Sequence, residues 1–192
     1  MCTTRGIGDD VAFKNRAVRA LAARESFGVE IQLARDVGAI GNAHLTQGGI
    51  TPLAAGAVSP SVGLALLENA IGETAQQGVI HADPATVSAW SKEFLVFHEG
   101  GDLLTVNDTP VAAGAGYIGI HPVDRGGPGA NQAWVFATGP IQVVRSEPFV
   151  IPETIAEAVD REFNDVVYRA ERNYVVDWDT ALLAEVLIDR SL

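Results

Sequence analysis

Apolar positions recur between residues 11 and 33 at spacings of three, four and seven: Val11, Val18, Leu21, Ala22, Val29 and Leu33. That is the stripe of a helix with one buried face, and Arg16, Arg19, Arg24 and Glu25 fall largely elsewhere. Asp9 and Asp10 stand where a cap and the positive end of a helix favour carboxylates, and Gly38 is a stop signal. The pattern predicts one continuous helix of about seven turns. A helix that long needs something long to lie against. Residues 39 to 58, rich in Gly, Ala and Thr, have no clear period and read as a connector. Ser59-Pro60 then starts a second helix, which buries Leu64, Leu67, Ala70 and Ile71 and ends at Gly78. Gly63 and Gly72 inside it each cost up to about 1 kcal/mol relative to Ala, which is the mark of close helix packing.

Beyond residue 78 the pattern shortens. Val79-Ile80 reads as a brief strand, and Asp83-Pro84 opens a short helix with Val87 and Trp90 on its buried side. Strands are predicted at 94–97 and 103–106 around the turn HEGGD, and a glycine-interrupted strand at 110–120. Residues 121–131, HPVDRGGPGAN, have the composition of a mobile loop. Strands at 134–137 and 141–144 are expected to pair across Thr138-Gly139-Pro140. A helix is predicted over 152–163, a strand over 166–178, and an apolar strand over 181–188 as its antiparallel partner. The fold class is therefore α+β, with two sizeable helices, short central strands and a C-terminal β-hairpin.

Composition bounds the function. The 192 residues are 47% hydrophobic and 19% charged, a globular balance. No 18-residue apolar run is present, so no membrane span is expected. The opening MCTTRGIGDD is not a secretory signal, and with Cys2 as the single cysteine the expectation is an intracellular chain without internal disulfides. Asp and Glu outnumber Lys and Arg by 24 to 13, and Lys14 and Lys92 are the only lysines. A net charge of −11 repels phosphate, so specific nucleic-acid binding is not expected.

Candidate chemistry is sparse. His44, His81, His98 and His121 are scattered, without the spacing of a metal site. Asp177 and Asp179 would share a strand face and offer two oxygen ligands, but beside a turn Asp is also favoured for its backbone bonds. Glu153, Glu157 and Glu162 read as a solvated helix face. The glycines at 126, 127 and 129 lack the Gly-Lys-Ser/Thr ending of a phosphate loop. Cys2 is a poorly positioned nucleophile. The expectation is no catalytic residue, no cofactor and no metal. If the chain were instead a cytosolic α+β enzyme or binding domain, His81, Asp83 and His98, flanking strand ends, would be its first candidates.

Five stretches in order sharpen the picture. CTTRG with the helix NRAVRALAARESFGVEIQL resembles the start of the spine helix in major capsid proteins of actinobacterial tailed phages. LALLENAIGETAQQGVIHADPATVSAW is similar to that family's helix, Gly-Val-Ile-His strand and Pro-started helix. GGDLLTVNDTPVAAGAGYIG, WVFATGPIQVVRSE and AERNYVVDWDTALLAEVLI resemble its later segments. The resemblance covers nearly the whole chain. It implies the HK-ninety-seven-type coat fold, shared with encapsulin shells. Residues 1–58 would form the spine helix and connector of a peripheral domain, 59–148 an axial domain, and 149–192 a return to the peripheral domain along the spine helix.

The resemblance further implies a structural subunit of the virion capsid, made in the bacterial host cytoplasm. Its partners would be copies of itself in pentamers and hexamers, together with full-length capsid or other head proteins, and no membrane. Asp124, Arg125, Gly126, Gly127, Pro128 and Gly129 are the candidate interface, a flexible contact near the capsomer axis. The family places an N-terminal arm and an extended β-hairpin loop before the spine helix, and this sequence has no residues for either. An encapsulin-like compartment subunit, packaging an enzyme in place of DNA, is the alternative within the same fold.

Overall fold

The computed structural model describes residues 2–4, 10–36, 41–74, 77–160, 162 and 165–192. In chain order the elements begin with β1 (Cys2–Thr4), α1 (Asp10–Ala22), α2 (Glu25–Ala34), α3 (Pro60–Glu73), β2 (Val79–Ala82) and α4 (Pro84–Lys92). They continue with β3 (Val96–Glu99), β4 (Asp102–Thr105), β5 (Val111–Ala113), β6 (Gln132–Thr138), β7 (Ile141–Arg145) and β8 (Phe149–Ile151). The last are α5 (Ile155–Ala158), β9 (Val159–Asp160), β10 (Asp165–Glu171), β11 (Tyr174–Trp178) and β12 (Leu183–Asp189). The fold is mixed α+β. The chain forms two compact units, the smaller from residues 1–26 and 143–175, the larger from 27–142 and 176–192.

In the smaller unit α1 lies on an antiparallel sheet ordered β1-β10-β8, and β9 also pairs with β10. The alternation of β10 turns Val166, Tyr168 and Ala170 toward Phe13 and Ala17 of α1. The Tyr168 hydroxyl donates to the Asp10 carboxylate, which also pairs with Lys14 at 2.9 Å. Asp10 is thus tied to side chains of this packing. Asp9 and the Gly38 stop lie outside the described residues. Glu25 gathers Arg172 at 2.7 Å and Arg145 at 3.0 Å.

The expected continuous helix is two helices. Arg24 N–H closes a tight turn on Leu21 O at 2.9 Å, and a new helix begins at Glu25. The two halves serve different cores: α1 buries Ala17, whereas α2 buries Leu33 and Ala34. A single straight stripe cannot describe both, and Val11 and Ala22 of the predicted stripe are exposed.

The larger unit is built on a four-stranded sheet ordered β12-β6-β2-β5. β6 and β12 pair antiparallel from Leu183 opposite Thr138 to Asp189 opposite Gln132. One face of this sheet packs Val135, Ala137, Val186, Ile188 and Ile80 beneath Leu64, Leu67 and Ile71 of α3 and Trp90 of α4. The other face packs Trp134 and Phe136 with Leu33, Leu45, Tyr117, Ile120 and Trp178. The close helix approach read from Gly63 is real: a Cβ there would sit 2.7 Å from Ile188 of β12. Gly72 has open space around it. α3 ends at Glu73, before the predicted Gly78.

Local signals were realised where they carry their own hydrogen bonds. Asp83 caps α4 by accepting from Thr86 N–H at 2.7 Å, with Pro84 at the first position. The HEGGD turn joins β3 and β4 through Gly100 and Gly101 at φ 62° and 103°, values that favour glycine. Several longer-range expectations are corrected. β6 and β7 do not pair with each other; β7 joins β11 instead. The terminal hairpin is absent, because β12 pairs with β6, and the strand predicted over 166–178 is interrupted at Arg172–Asn173 to give β10 and β11. The helix predicted over 152–163 contracts to the single turn α5, since Val159 and Asp160 pair with Val166 and Asp165. The glycine-rich strand at 110–120 shortens to β5 followed by a 3-10 turn at Ala115–Tyr117.

Phe94, just past α4, adopts φ 58° and is 85% exposed. A side chain in the left-handed region costs about 1–2 kcal/mol, and this one regains little by burial. Phe94→Gly is expected to stabilise the isolated chain by about 1 kcal/mol; chemical denaturation followed by tryptophan fluorescence checks this, and a loss of stability would contradict it.

Candidate functional site

The predicted interface residues lie on one segment of the larger unit. Asp124, Arg125, Gly126, Gly127 and Gly129 are exposed and Pro128 is half-buried. The segment has no regular structure, yet it is fastened at several points. Val123 N–H donates to Thr46 O at 2.9 Å, Gly49 N–H donates to the Asp124 carboxylate at 3.1 Å, and the Arg125 guanidinium donates to Ile50 O at 3.1 Å. At its far end Gly129 N–H donates to the Gln132 side chain at 3.1 Å. The loop is stapled to the connector, which supplies the backbone partners.

Beneath Arg125 lies a residue that the sequence reading passed over. Glu185, in the middle of β12, has a fully buried side chain, and neither carboxylate oxygen has a hydrogen-bond partner among the described residues. Arg125 Nε is 4.0 Å from Oε1, an ion-pair distance too long for a hydrogen bond. Burial pushes the Glu185 carboxyl up to about 7; the Arg125 charge opposes this and the Asp124 charge adds to it. The signal was present as the one charge inside the apolar run ALLAEVLI.

His81, on β2, is fully buried in a satisfied network. The Thr138 hydroxyl donates to Gly139 O at 2.9 Å and so receives the His81 Nε2 proton at 3.0 Å. Nδ1 then accepts from the Tyr117 hydroxyl at 3.2 Å. Burial depresses the imidazole to about 3 and holds it neutral, and it raises the Tyr117 phenol, with the Glu30 charge a second cause. Asp83 is occupied by its cap and by Arg190 at 3.0 Å, and His98 is exposed on β3. The three residues nominated for a pocket thus have three separate settings.

Asp177 and Asp179 line an open cleft of about 360 Å³ with Pro140, Ile141, Gln142 and Trp178. Asp179 accepts from Ala181 N–H at 2.9 Å, the turn role anticipated for it. His44 lies 3.1 Å from the Thr46 hydroxyl, and His121 lies 3.0 Å from Pro122 O. Among the described residues no three His, Cys, Asp or Glu side chains converge to hold a metal, and no helix is long and apolar enough to cross a membrane. No protein-family model matches the chain, and no curated protein matches it.

His81 and Glu185, both buried, act on stability with opposite sign. His81 titrates lower folded than unfolded, so its contribution is complete above about pH 6.5 and is lost as pH falls toward 3. Glu185 titrates higher folded than unfolded, so its contribution is complete below about pH 4.5 and is lost as pH rises through 7. Between pH 5 and 7 each is worth about 2 kcal/mol in opposite directions. Trp90, Trp134 and Trp178 all belong to the larger unit, so fluorescence reports its unfolding. The wild-type midpoint is expected to be nearly flat over that range. In Glu185→Gln it should rise with pH by the His81 increment, and in His81→Gln it should fall; identical slopes in all three would refute the assignment.

Proposed function

We propose that the chain is a structural subunit of a phage capsid shell, of the HK-ninety-seven-type fold, and not an enzyme. Copies of it assemble into pentameric and hexameric capsomers that enclose DNA. The observation that carries this reading is the way the chain is shared between its units. It starts in the smaller, builds most of the larger, returns at Val143 and finishes in the larger from Val176. In this reading the smaller unit, a helix along an antiparallel sheet, is the peripheral domain. The larger, a mixed sheet covered by helices, is the axial domain; β12, which the resemblance assigns to the return to the peripheral domain, lies in it beside β6. The five stretches that carry the family resemblance run in order through both.

Exposed apolar surface supports the same conclusion. Val143, Val144, Phe149, Ile151 and Val175 of the smaller unit are all more than 40% exposed, as suits a surface covered by neighbouring copies. Gly126, Gly127 and Gly129 remain the candidate contact about the capsomer axis, on a loop positioned by Asp124 and Arg125. A net charge of −11 suits an inner wall that does not trap packed DNA. Light scattering of the purified chain is expected to give the mass of pentamers, hexamers or larger assemblies, with rings or shells in electron micrographs. A mass that stays monomeric at every concentration would count against the shell reading.

A further inference from the structure

Charge is divided very unevenly along this chain. The larger unit holds 14 of the 24 carboxylate residues but only four of the 13 cations: Arg35, Lys92, Arg125 and Arg190. Most of the positive charge therefore belongs to the smaller unit, and part of it is concentrated on α1. Ala12, Arg16, Arg19 and Ala23 recur at spacings of four, three and four, which aligns them on one side of the helix and its terminal turn. All four are exposed, and neither arginine makes an ion pair among the described residues. The alanines flank the arginine pair and leave room for a bulky group beside the guanidinium groups.

The β3–β4 hairpin of the larger unit has the complementary features. Its register puts Phe97 opposite Leu104 and Glu99 opposite Asp102, and the alternation of the strands sets both pairs on the same face. The other face carries Val96 and Leu103, which are part of the core. The outward face therefore combines a 39% exposed phenylalanine with two carboxylates held directly across from each other. Like charges in that position destabilise a strand pair, and neither carboxylate has a cation partner among the described residues. A pair of arginines laid over them would relieve the repulsion, and a guanidinium stacks well on an aromatic ring.

We infer that the outward face of the β3–β4 hairpin, Phe97, Leu104, Glu99 and Asp102, docks on the Ala12, Arg16, Arg19 and Ala23 face of α1 in a second copy of the chain. The contact joins two different surfaces, so it is heterologous and propagates from copy to copy. It rests on the shell reading and names one of the contacts that build the assembly. The choice of a second copy follows from charge: among the described residues the chain carries a basic helix face without ion pairs, flanked by alanines, and an acidic hairpin face without ion pairs, beside an apolar pair.

The test is charge reversal followed by compensation, read as mass by light scattering across a concentration series. Arg16→Glu with Arg19→Glu is expected to raise the concentration for half-association roughly tenfold or more, and Glu99→Arg with Asp102→Arg to do the same. The fourfold variant carrying all these substitutions should recover most of the association. Circular dichroism and tryptophan fluorescence establish that each variant is folded, which is expected because all four positions are exposed. Association unchanged by either reversal overturns this contact and leaves the shell reading standing. Weakening by both reversals without recovery in the fourfold variant also overturns the pairing. Small oligomers that obey the reversal pattern support the contact while counting against a closed shell. A wild-type chain that never associates overturns both.

Discussion

Strand β6 has no solvent face, and the larger unit is organised around that condition. Six consecutive residues, Ala133 to Thr138, are buried, so both edges of the strand require hydrogen-bonding partners and both faces require apolar cover. β12 supplies one edge and β2 the other. α3 and α4 close one face with Leu64, Leu67, Ile71 and Trp90, while α2, the connector and the segment around Tyr117 close the other. Gly63 belongs to the same requirement, because only a residue without a Cβ lets α3 come down on Ile188. The irregular connector at 41–58 is drawn in as well: Leu53 and Val58 N–H groups donate to Glu185 and Leu187 carbonyls along the outer edge of β12.

Two ionisable side chains are caught in this closed sheet, and their surroundings treat them differently. His81 has a donor for one ring nitrogen and an acceptor for the other, so the neutral imidazole loses nothing by leaving water. Glu185 has no hydrogen-bond donor among the described residues and only a 4.0 Å ion pair to Arg125, and an unsatisfied buried polar group costs about 1–3 kcal/mol. Raising its pKa to about 7 limits that cost near neutrality, because the uncharged acid is far cheaper to bury than the carboxylate. Arg125 is the nearest cation, and it belongs to the loop that covers the strand. The position of that loop is therefore coupled to a buried acid, through an ion pair that strengthens when the acid ionises.

What the sequence made legible was the structure that is determined locally. Asp83-Pro84 and the double glycine of the β3–β4 turn contain their own mechanism within a few residues, and both elements formed as expected. Strand partners were not legible. A run such as WVFAT states that a strand is buried on both faces, but it does not say which strands cover its edges, so β7 and β12 were given the wrong neighbours. The break after Ala22 has no glycine or proline to announce it; it follows from α1 and α2 having different cores to serve. Val159 and Asp160 had a helical context in sequence and were taken into a strand by pairing with β10, a tertiary contact overriding a local preference. Of the nominated site residues, Asp83 and His81 were readable as strand-end polar groups, but their hydrogen-bond partners Arg190, Tyr117 and Thr138 are remote in sequence.

Two violations of local preference fall together at one small element. Phe94 has a left-handed backbone and an exposed side chain, and the hairpin that begins two residues beyond it opposes Glu99 to Asp102 across its turn. Elsewhere in the larger unit the exceptions among the described residues are few: the unpartnered carboxylate of Glu185, the unpartnered indole N–H of Trp134 and the left-handed backbone of Asp108. The hairpin is also held firmly at its base. Glu68 of α3 accepts from the Thr105 and Thr109 hydroxyls, and Val106 N–H donates to Leu95 O. A projecting element that is fixed at its root, apolar and acidic on its outer face, and locally strained loses little conformational freedom when it binds. Strain and like-charge repulsion that do nothing for the isolated fold are most economically explained by a surface that meets them in another copy of the chain, and α1 carries the charge to do so.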